Sequence, residues 1–513
     1  MASKIIILAM FAIAMVAVGV VSHKKATDVN SFVLGGRSIG PWMTAFSYGT
    51  SYFSAVIFIG YAGQFGWKFG IASTWIGIGN ALIGSLLAWV LLGRRTRLMS
   101  QHINSRTMPQ FFGKRYNSKA LRLFAAAIIF VFLIPYTASL FNGLSRLFEM
   151  AFGVDYTVCV ISMSVLTAIY VVAGGYMASS ISDFIQGIIM LFGIVAVIAA
   201  VLSGKGGFTA ALSQLANVEG ATPGVYNSFF GAEPFNLLCV VILTSLGTWG
   251  LPQMVQKFYA IKDERAIKKG TIISTLFAVV VAGGCYFLGG FGRIFTTQEE
   301  VNAGGFDSII PKMLENLPDI LMGVVVILVL SASMSTLSSL VLTSSSTLTL
   351  DLIKGNIVKK MSEKRQMLIM RVMIAVFIII SAAIAIIQYK FKISAIADLM
   401  GISWGAIAGA FLAPFIYGLY MKRSNKVATA TCFAVSMVVM LSNLFFRSAF
   451  PVFLQSPVNC GAFVMLLNLV LFPIVAILSK KTAPSNVESM FECFEETVLV
   501  RAGDALGASR VEK

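Results

Sequence analysis

Apolar runs of about 20 residues recur from one end of this 513-residue chain to the other. A helix needs about 20 mostly apolar residues to cross the hydrocarbon core of a bilayer, which is roughly 30 Å thick. Charged residues make up only 12% of the chain, whereas soluble proteins contain roughly a quarter. The sequence therefore predicts an all-α polytopic membrane protein.

About 13 membrane spans are predicted from these runs. The first run has one lysine before it and "SHKK" after it. A signal peptide carries its positive charges in front, so we predict that this run is a retained helix. The predicted spans are 4–21, 41–66, 68–93, 119–150, 154–174, 180–203, 235–257, 268–291, 319–350, 366–388, 393–420, 426–446 and 458–479.

The positive charges indicate how these spans are oriented. If the N-terminus lies outside, the cytoplasmic segments and their flanks, among them 258–267 with its flanks, hold 30 of the 39 lysines and arginines. Lys and Arg are enriched in cytoplasmic loops, where they lie beside an anionic leaflet. We therefore predict a multi-pass protein of the plasma membrane, embedded in the lipid bilayer, with the N-terminus outside and the C-terminus cytoplasmic.

Several function classes lack support in the sequence. The net charge of +17 lies in short loops rather than in a soluble basic domain, so we expect no nucleic-acid partner. No glycine-rich phosphate loop follows a strand, and the tail after the last span is too short for a nucleotide-binding domain, so we expect no use of ATP. No His, Cys or carboxylate cluster has metal-binding spacing, and we expect no enzyme activity.

A hydroxyl-rich stretch, "SASMSTLSS", interrupts the apolar run at 319–350. Ala332, Ser335, Thr336 and Ser339 share one helix face. Hard cations prefer oxygen ligands, and neutral oxygens suit a transported ion such as Na⁺, which must also be released. The alternative is that small and hydroxyl residues let helices pack closely and bond back to their own backbone.

Two apolar runs are interrupted near their middles, five spans apart. The run 41–66 contains Gly49, Thr50 and Ser51, and the run 235–257 contains Gly247, Gly250 and Pro252. Broken helices at corresponding places in two halves indicate a transporter binding site. The alternative is that Gly and Pro are simply common in membrane helices. Five is odd, so two such halves would be inverted in the membrane.

Asp183, in "ISDFIQGI", has two interpretations. A carboxylate in a membrane helix indicates function, whereas a carboxylate at a helix start caps free amides. "IADLMGIS" places Asp398 at an equivalent position, where we interpret it as a cap at the outer interface.

The chain resembles the sodium:solute symporter family, nearest its branch of proline and pantothenate permeases. The resemblance runs from about residue 5 to 480 and is carried by "DVNSFVLGGRSIGPWMTAFS", "GGYMASSISDFIQGIIM", "GLPQMVQKFYAIKD", "SASMSTLSS" and "LMGISWGAIAGAFLAPFIYGLY". It implies a LeuT-like fold in one transporter domain, 1–480. That domain would comprise a leading helix 4–21, inverted five-helix repeats 41–203 and 235–420, and trailing helices 426–479, with a cytoplasmic tail at 481–513.

The resemblance also implies sites for the coupling ion, Na⁺. The main sodium site would use backbone or side-chain oxygens of Thr50, Phe53, Ala332, Ser335 and Thr336. A second sodium site, present in some members, would use Asp183, Ser338 and Ser339.

The family implies secondary active import of a small organic solute by alternating access. The residues that match its solute site are Tyr52, Ser54, Ile57, Thr244, Thr248, Trp249 and Pro252. Proline permeases carry an aspartate in place of Tyr52 and aromatic residues in place of Thr244 and Thr248, which puts proline in doubt. We expect a carboxylate-bearing solute, such as an amino acid or a pantothenate-like acid. The alternatives are a sugar symporter, a sodium-independent uniporter or channel of the same fold, and a transporter whose tail signals to a partner.

Overall fold

The computed structural model describes residues 2–23, 28–354, 356–358, 360–391, 396–479 and 484–495, and most of them are helical. We number the long helices and the C-terminal helix in chain order. They are α1 (Ala2–His23), α2 (Pro41–Tyr52), α3 (56–69), α4 (70–102), α5 (Lys119–Phe152), α6 (Tyr156–Ser203), α7 (Pro234–Gly250), α8 (Pro252–Ala260), α9 (Glu264–Gly289), α10 (Asp319–Ile353), α11 (Glu363–Phe391), α12 (Ile396–Tyr420), α13 (Lys426–Phe445), α14 (Pro457–Leu478) and α15 (Val487–Glu495).

Short helices lie between the long ones. They are Val29–Leu34, Met108–Arg115, Phe208–Ala216, Gln298–Gly304, Ile309–Leu314 and Val452–Gln455, with single 3₁₀ turns at Gly35–Arg37, Gly292–Ile294, Phe306–Ser308 and Arg447–Ala449.

Ten helices in the described part of the chain are long and apolar enough to cross a membrane. The pair α7 and α8, bent by 47°, makes an eleventh if it is one span. The expected polytopic helical architecture is confirmed, and the count of thirteen stays a prediction. The difference arises at two places: α3 and α4 form one helical run, Val56–His102, and the apolar stretch Tyr156–Ile169 at the start of α6 is shorter than a counted span.

Both predicted interruptions are breaks in the helix. After α2, Phe53 is extended, with φ −86° and ψ 118°, and after α7, Leu251 has nearly the same angles, φ −83° and ψ 124°. Pro252 then begins α8, in a position that proline favours because it has no N–H to lose. Each break leaves carbonyl groups of the preceding helix without intrahelical partners in the middle of an apolar run.

The helices of the two predicted repeats pack reciprocally. The third helix of the first repeat, α5, packs against α12, the last helix of the second. The third helix of the second repeat, α10, packs against α6, the last helix of the first. This is the arrangement expected of two inverted halves, and it places α10 beside the break between α2 and α3.

Glycines permit the closest helix contacts around this centre. A Cβ on Gly66 would lie 2.0 Å from the carbonyl oxygen of Gly289, so α3 and α9 touch backbone to backbone. Gly175 divides α6 into two straight parts, with φ 55° and ψ −143°, a conformation that essentially only glycine adopts. The second part of α6 carries Asp183.

Candidate functional site

Five oxygen atoms converge between the break after α2 and the middle of α10. The hydroxyl of Ser335 lies 3.1 Å from the carbonyl oxygens of both Thr50 and Ala332. The hydroxyl of Thr336 lies 3.0 Å from the Thr50 oxygen, 3.2 Å from the Phe53 oxygen and 3.1 Å from the Ala332 oxygen. We call these atoms the five-oxygen cluster, and all five residues are buried.

The cluster holds more acceptors than protons. Three of its oxygens are carbonyls, which only accept, and the two hydroxyls of Ser335 and Thr336 have one proton each. The Thr336 hydroxyl is within reach of three carbonyls but can donate to only one at a time. A small cation would satisfy the remaining lone pairs, because hard cations bind neutral oxygens.

The local sequence explains this geometry. The extended Phe53 ends α2 and turns its own carbonyl and that of Thr50 towards α10. On α10, positions 332, 335 and 336 lie on one face at helical spacing. The structure therefore brings together the five residues that the sequence assigns to a main sodium site.

Asp183 lies within the second part of α6, eight residues after Gly175, so the interpretation as a helix cap is wrong. It is fully buried. Ser47 of α2 donates to its carboxylate oxygen Oδ2, and the hydroxyl of Ser179 lies 3.5 Å from the same atom. Ser179 in turn lies 2.9 Å from the hydroxyl of Ser338. Asp183 and Ser338 are thus linked through Ser179.

Asp398 is also not a cap. It lies in the first turn of α12 and forms an ion pair with Arg447, with 3.2 Å between Oδ2 and Nη1. The equivalence of Asp183 and Asp398, suggested by short matching motifs, is therefore not reflected in their environments.

Lys257 of α8 is the site residue that sequence reasoning missed. Its Nζ donates to the hydroxyls of Ser47, at 2.8 Å, and Ser339, at 3.0 Å, and lies 3.7 Å from Oδ2 of Asp183. The positive-inside count places Lys257 in a cytoplasmic flank, whereas the structure leaves only 2% of its side chain exposed. The bend after Leu251 explains the difference, because it directs α8 across α2 and α10.

Three of the buried polar groups near the first break have no partner at normal hydrogen-bond geometry among the described residues and contact only one another: the hydroxyls of Ser54 and Tyr136 and the indole nitrogen of Trp404. The Tyr136 hydroxyl lies beside Ser54 and Trp404, and the rings of Tyr136 and Trp404 meet edge to face at 5.9 Å. We call these groups the polar trio. Buried polar groups normally have partners, so a solute that offers hydrogen-bonding atoms fits here. Ile57, another predicted solute residue, is buried in the first turn of α3. The side chain of Tyr52 lies outside the described residues.

The predicted solute residues of the second broken helix are buried, and their polar atoms already have backbone partners. Thr244 donates to Val240 at 2.8 Å, Thr248 donates to Ser245 at 2.8 Å, and the Trp249 indole donates to Ile83 at 2.9 Å. Pro252 is buried at the start of α8. In this conformation the groups of the polar trio, unlike those of Thr244 and Thr248, have no backbone partner among the described residues. Only Ser54 of that trio was predicted from the sequence.

The start of α2 and the end of α8 are joined on the side predicted to be cytoplasmic. Ile39, just before α2, lies opposite Ile261, just after α8: the Ile39 N–H donates to the Ala260 carbonyl at 3.3 Å, and the Ile39 carbonyl accepts from the Lys262 N–H at 3.0 Å. Arg37 donates to the carbonyls of Ser105, at 2.6 Å, and Tyr259, at 3.1 Å. Burial lowers the pKa of Arg37 to about 10, so it remains charged at neutral pH. We call this contact the cytoplasmic seam.

A polar cavity of about 630 Å³ lies on the opposite side. It is bounded by the segment 302–307 and the end of α11, with Asn142, Arg146, Asp307 and Gln388 among its walls. Burial raises the pKa of Asp307. The cavity is large enough for a small organic solute.

Comparisons with known proteins identify the family of the chain. The model of the sodium:solute symporter family matches residues 32–433. The chain is 30% identical over 443 residues to the osmoregulated proline transporter OpuE of Bacillus subtilis, covering 85% of this chain and 88% of that protein. It is 28% identical over 441 residues to the sodium/proline symporter of Salmonella typhimurium, covering 83% and 85% of the two chains.

Among solved structures, the chain matches that of a Na⁺-coupled sialic acid symporter in its substrate-bound, outward-open state. The TM-score is 0.77 at 18% identity, and the match covers 93% of this chain and 97% of the other. This likeness shows the fold, which is the LeuT-like fold that the sequence predicts.

Proposed function

The chain belongs to the sodium:solute symporter family, and on that basis we propose that the five-oxygen cluster binds its coupling sodium ion. The protein is a multi-pass membrane transporter that couples Na⁺ to the movement of a small organic solute. The observation that carries the proposed site is the excess of acceptors. The two hydroxyls lie 3.0 to 3.2 Å from three carbonyl oxygens. Only the hydroxyls carry protons, one each, so the acceptors outnumber the donors.

A sodium ion in the cluster couples two parts of the molecule. Thr50 and Phe53 belong to the broken helix of the first repeat, 41–203, and Ser335 and Thr336 belong to the second repeat, 235–420. An ion held by both favours the state in which they are close together, since a ligand shifts a conformational equilibrium by its differential affinity. Solute binding and closure of the outer side then precede opening of the cytoplasmic seam, which completes alternating access.

The proposed solute is a carboxylate-bearing compound, and an amino acid such as proline is the leading candidate. The second halves of both broken helices, α3 and α8, begin inside predicted membrane spans. Helix N-termini carry partial positive charge and attract anionic groups. The polar trio supplies neutral hydrogen-bonding groups beside one of these ends, and two similar proteins are named as proline transporters. The hydroxyl and indole groups also suit a sugar, which remains the second candidate.

We place the protein in the plasma membrane with its N-terminus outside and its C-terminus in the cytoplasm. The support is the distribution of Lys and Arg. In this orientation the polar cavity faces outwards and the cytoplasmic seam closes the inner side, so the solute is imported.

Thermal denaturation of the purified protein tests the sodium site and the solute class together. Ligands that bind only the folded state stabilise it, by about 2.7 kcal/mol at a hundredfold excess over the dissociation constant. We expect NaCl, but not KCl at equal concentration, to raise the melting temperature, and proline to raise it further in the presence of Na⁺. Equal melting temperatures in NaCl and KCl would contradict the sodium site. A sodium effect with stabilisation by sugars alone would leave that site standing and overturn the solute class.

A further inference from the structure

A buried lysine lies inside the site that the sequence assigns to a second sodium ion. The Nζ of Lys257 contacts the hydroxyls of Ser47 and Ser339 and the carboxylate of Asp183, within 3.7 Å of each. These three residues belong to α2, α10 and α6. The ammonium group therefore holds α8 against all three helices, at the level where a second ion would lie.

The charges of this cluster already balance. Asp183 is fully buried, and a buried carboxylate needs an opposite charge. Lys257 supplies that charge, and its ammonium also lies 5.1 Å from the centre of the Tyr176 ring, a favourable position for a cation. A sodium ion at Asp183 would bring a second positive charge close to Nζ, and like charges repel strongly where water is excluded.

We propose that the ammonium group of Lys257 takes the place of a second sodium ion, so that this transporter binds one sodium ion per cycle. The total of one rests on the proposed main site, whereas the assignment of Lys257 does not. The oxygens of a second site are present, but the cation among them belongs to the chain itself. Oδ1 of Asp183 accepts no hydrogen bond from another described residue, so the carboxylate keeps a free lone pair for a metal ion if the ammonium is removed.

The proposal predicts a gain of function from a single substitution. Lys257→Gln removes the positive charge and leaves Asp183, Ser47 and Ser339 in place. Asp183 then needs another cation, and sodium is the one available in the buffer. Lys257→Arg keeps the charge and serves as the matched control, because its guanidinium still neutralises Asp183.

Equilibrium binding of ²²Na⁺ to the purified full-length protein tests this without knowledge of the solute. We expect one ion per chain for the wild type and for Lys257→Arg, and two for Lys257→Gln. The double variant Asp183→Asn/Lys257→Gln should return to one, because it has neither the ammonium nor the carboxylate. It also carries no unpaired buried charge, so it should fold, and it shows whether an extra ion bound by Lys257→Gln depends on the Asp183 carboxylate.

The test of Lys257 depends on the difference of one sodium ion between Lys257→Gln and the wild type, so it does not require that the five-oxygen cluster binds sodium. If the five-oxygen cluster did not bind sodium, the wild type would bind none and Lys257→Gln would bind one, which still supports Lys257 as the built-in cation. Two ions bound by the wild type would overturn the proposal, because the ammonium would not be excluding sodium. Equal binding by a folded Lys257→Gln variant and the wild type would also overturn it.

Discussion

At the residue scale, the five-oxygen cluster depends on which hydroxyls of α10 face the break. Ser335 and Thr336 point their hydroxyls at carbonyls of another helix. Ser333, two residues earlier and equally buried, donates instead to Val329 within its own helix. The same residue type therefore contacts another helix at one position and its own helix at the other, which are the two geometries that the two interpretations of the sequence require.

Replacing Ser335 or Thr336 with alanine removes one oxygen from the cluster. We expect the sodium concentration for half-maximal uptake to rise about tenfold, which corresponds to roughly 1.4 kcal/mol. Sodium titration of solute uptake measures this, with Ser333→Ala as the control that should leave the sodium dependence unchanged. If all three variants lost expression alike and kept the wild-type sodium dependence, the hydroxyls would serve only helix packing.

Tyr136 provides a residue-scale test of the polar trio. Tyr136→Phe removes a buried hydroxyl whose contacts with Ser54 and Trp404 are weaker than normal hydrogen bonds, so we expect little loss of stability. If that hydroxyl binds the solute, KM for proline should rise about tenfold, since a hydrogen bond to a charged group contributes about 1.5–3 kcal/mol. Kinetics of proline uptake would measure this.

The matched control is Tyr116→Phe, because Tyr116 is equally buried and its hydroxyl donates to the Pro414 carbonyl at the cytoplasmic end. That change should lower stability without raising KM. An unchanged KM in Tyr136→Phe would remove Tyr136 from the solute site.

At the scale of elements, the breaks in the helices produce the site. The extended residues Phe53 and Leu251 release carbonyls and create new helix N-termini where an unbroken helix would offer neither. Gly175 sets the direction of the second part of α6 and so determines where Asp183 lies. Positions that bend the chain are thus as important to the site as those that supply its oxygens.

Gly175→Ala tests this role. A Cβ at residue 175 would lie 2.7 Å from the Phe32 ring and 2.8 Å from the Phe32 carbonyl oxygen, in a conformation that L residues rarely adopt. We expect a marked fall in melting temperature, measured by thermal denaturation. Gly153→Ala is the control, because Gly153 also has positive φ, 64°, but nothing lies within 4 Å of its added Cβ. Gly153→Ala should lower the free energy of unfolding by only about 1–2 kcal/mol, because of backbone strain. Equal losses in the two variants would contradict the importance of the packing at Gly175.

The breaks and the hydroxyl-bearing face of α10 could be predicted from local signals, whereas the full set of five residues, Phe53 above all, came from the family resemblance. Gly and Pro interrupt apolar runs, and hydroxyls recur at helical spacing. The sequence did not predict Lys257 as a site residue, because a lysine near the end of an apolar run looks like an interfacial flank until the bend in its helix is known. It also missed Tyr136 and Trp404, because single aromatic residues in apolar helices carry no sign of which ones lack partners.

At the scale of the whole molecule, the two predicted repeats meet at the five-oxygen cluster and again at the cytoplasmic seam. The five-oxygen cluster joins α2 to α10, and the cytoplasmic seam joins the start of α2 to the end of α8. The polar cavity lies on the other side. The molecule thus has backbone and side-chain hydrogen bonds between the repeats on one side and a polar cavity on the other, an asymmetry consistent with alternating access.

Cysteine labelling tests the orientation of the whole chain. Glu219→Cys lies in the exposed segment between α6 and α7, and Lys268→Cys lies on the exposed side of α9 near its start. In a background with Cys493→Ser, we expect a membrane-impermeant maleimide to label residue 219 from outside intact cells. Residue 268 should react only after the cells are opened. The reverse pattern would show that the orientation is inverted.

The central claim is that a sodium gradient drives solute movement through the five-oxygen cluster. The most direct measurement is uptake of radiolabelled proline into proteoliposomes that contain the purified protein, with Na⁺ outside and K⁺ inside. We predict a transient accumulation of proline above its external concentration, which disappears when Na⁺ is equal on both sides or when Ser335 and Thr336 are both alanine. Uptake that only equilibrates proline, at the same rate with or without the sodium gradient, would contradict the account and indicate a uniporter.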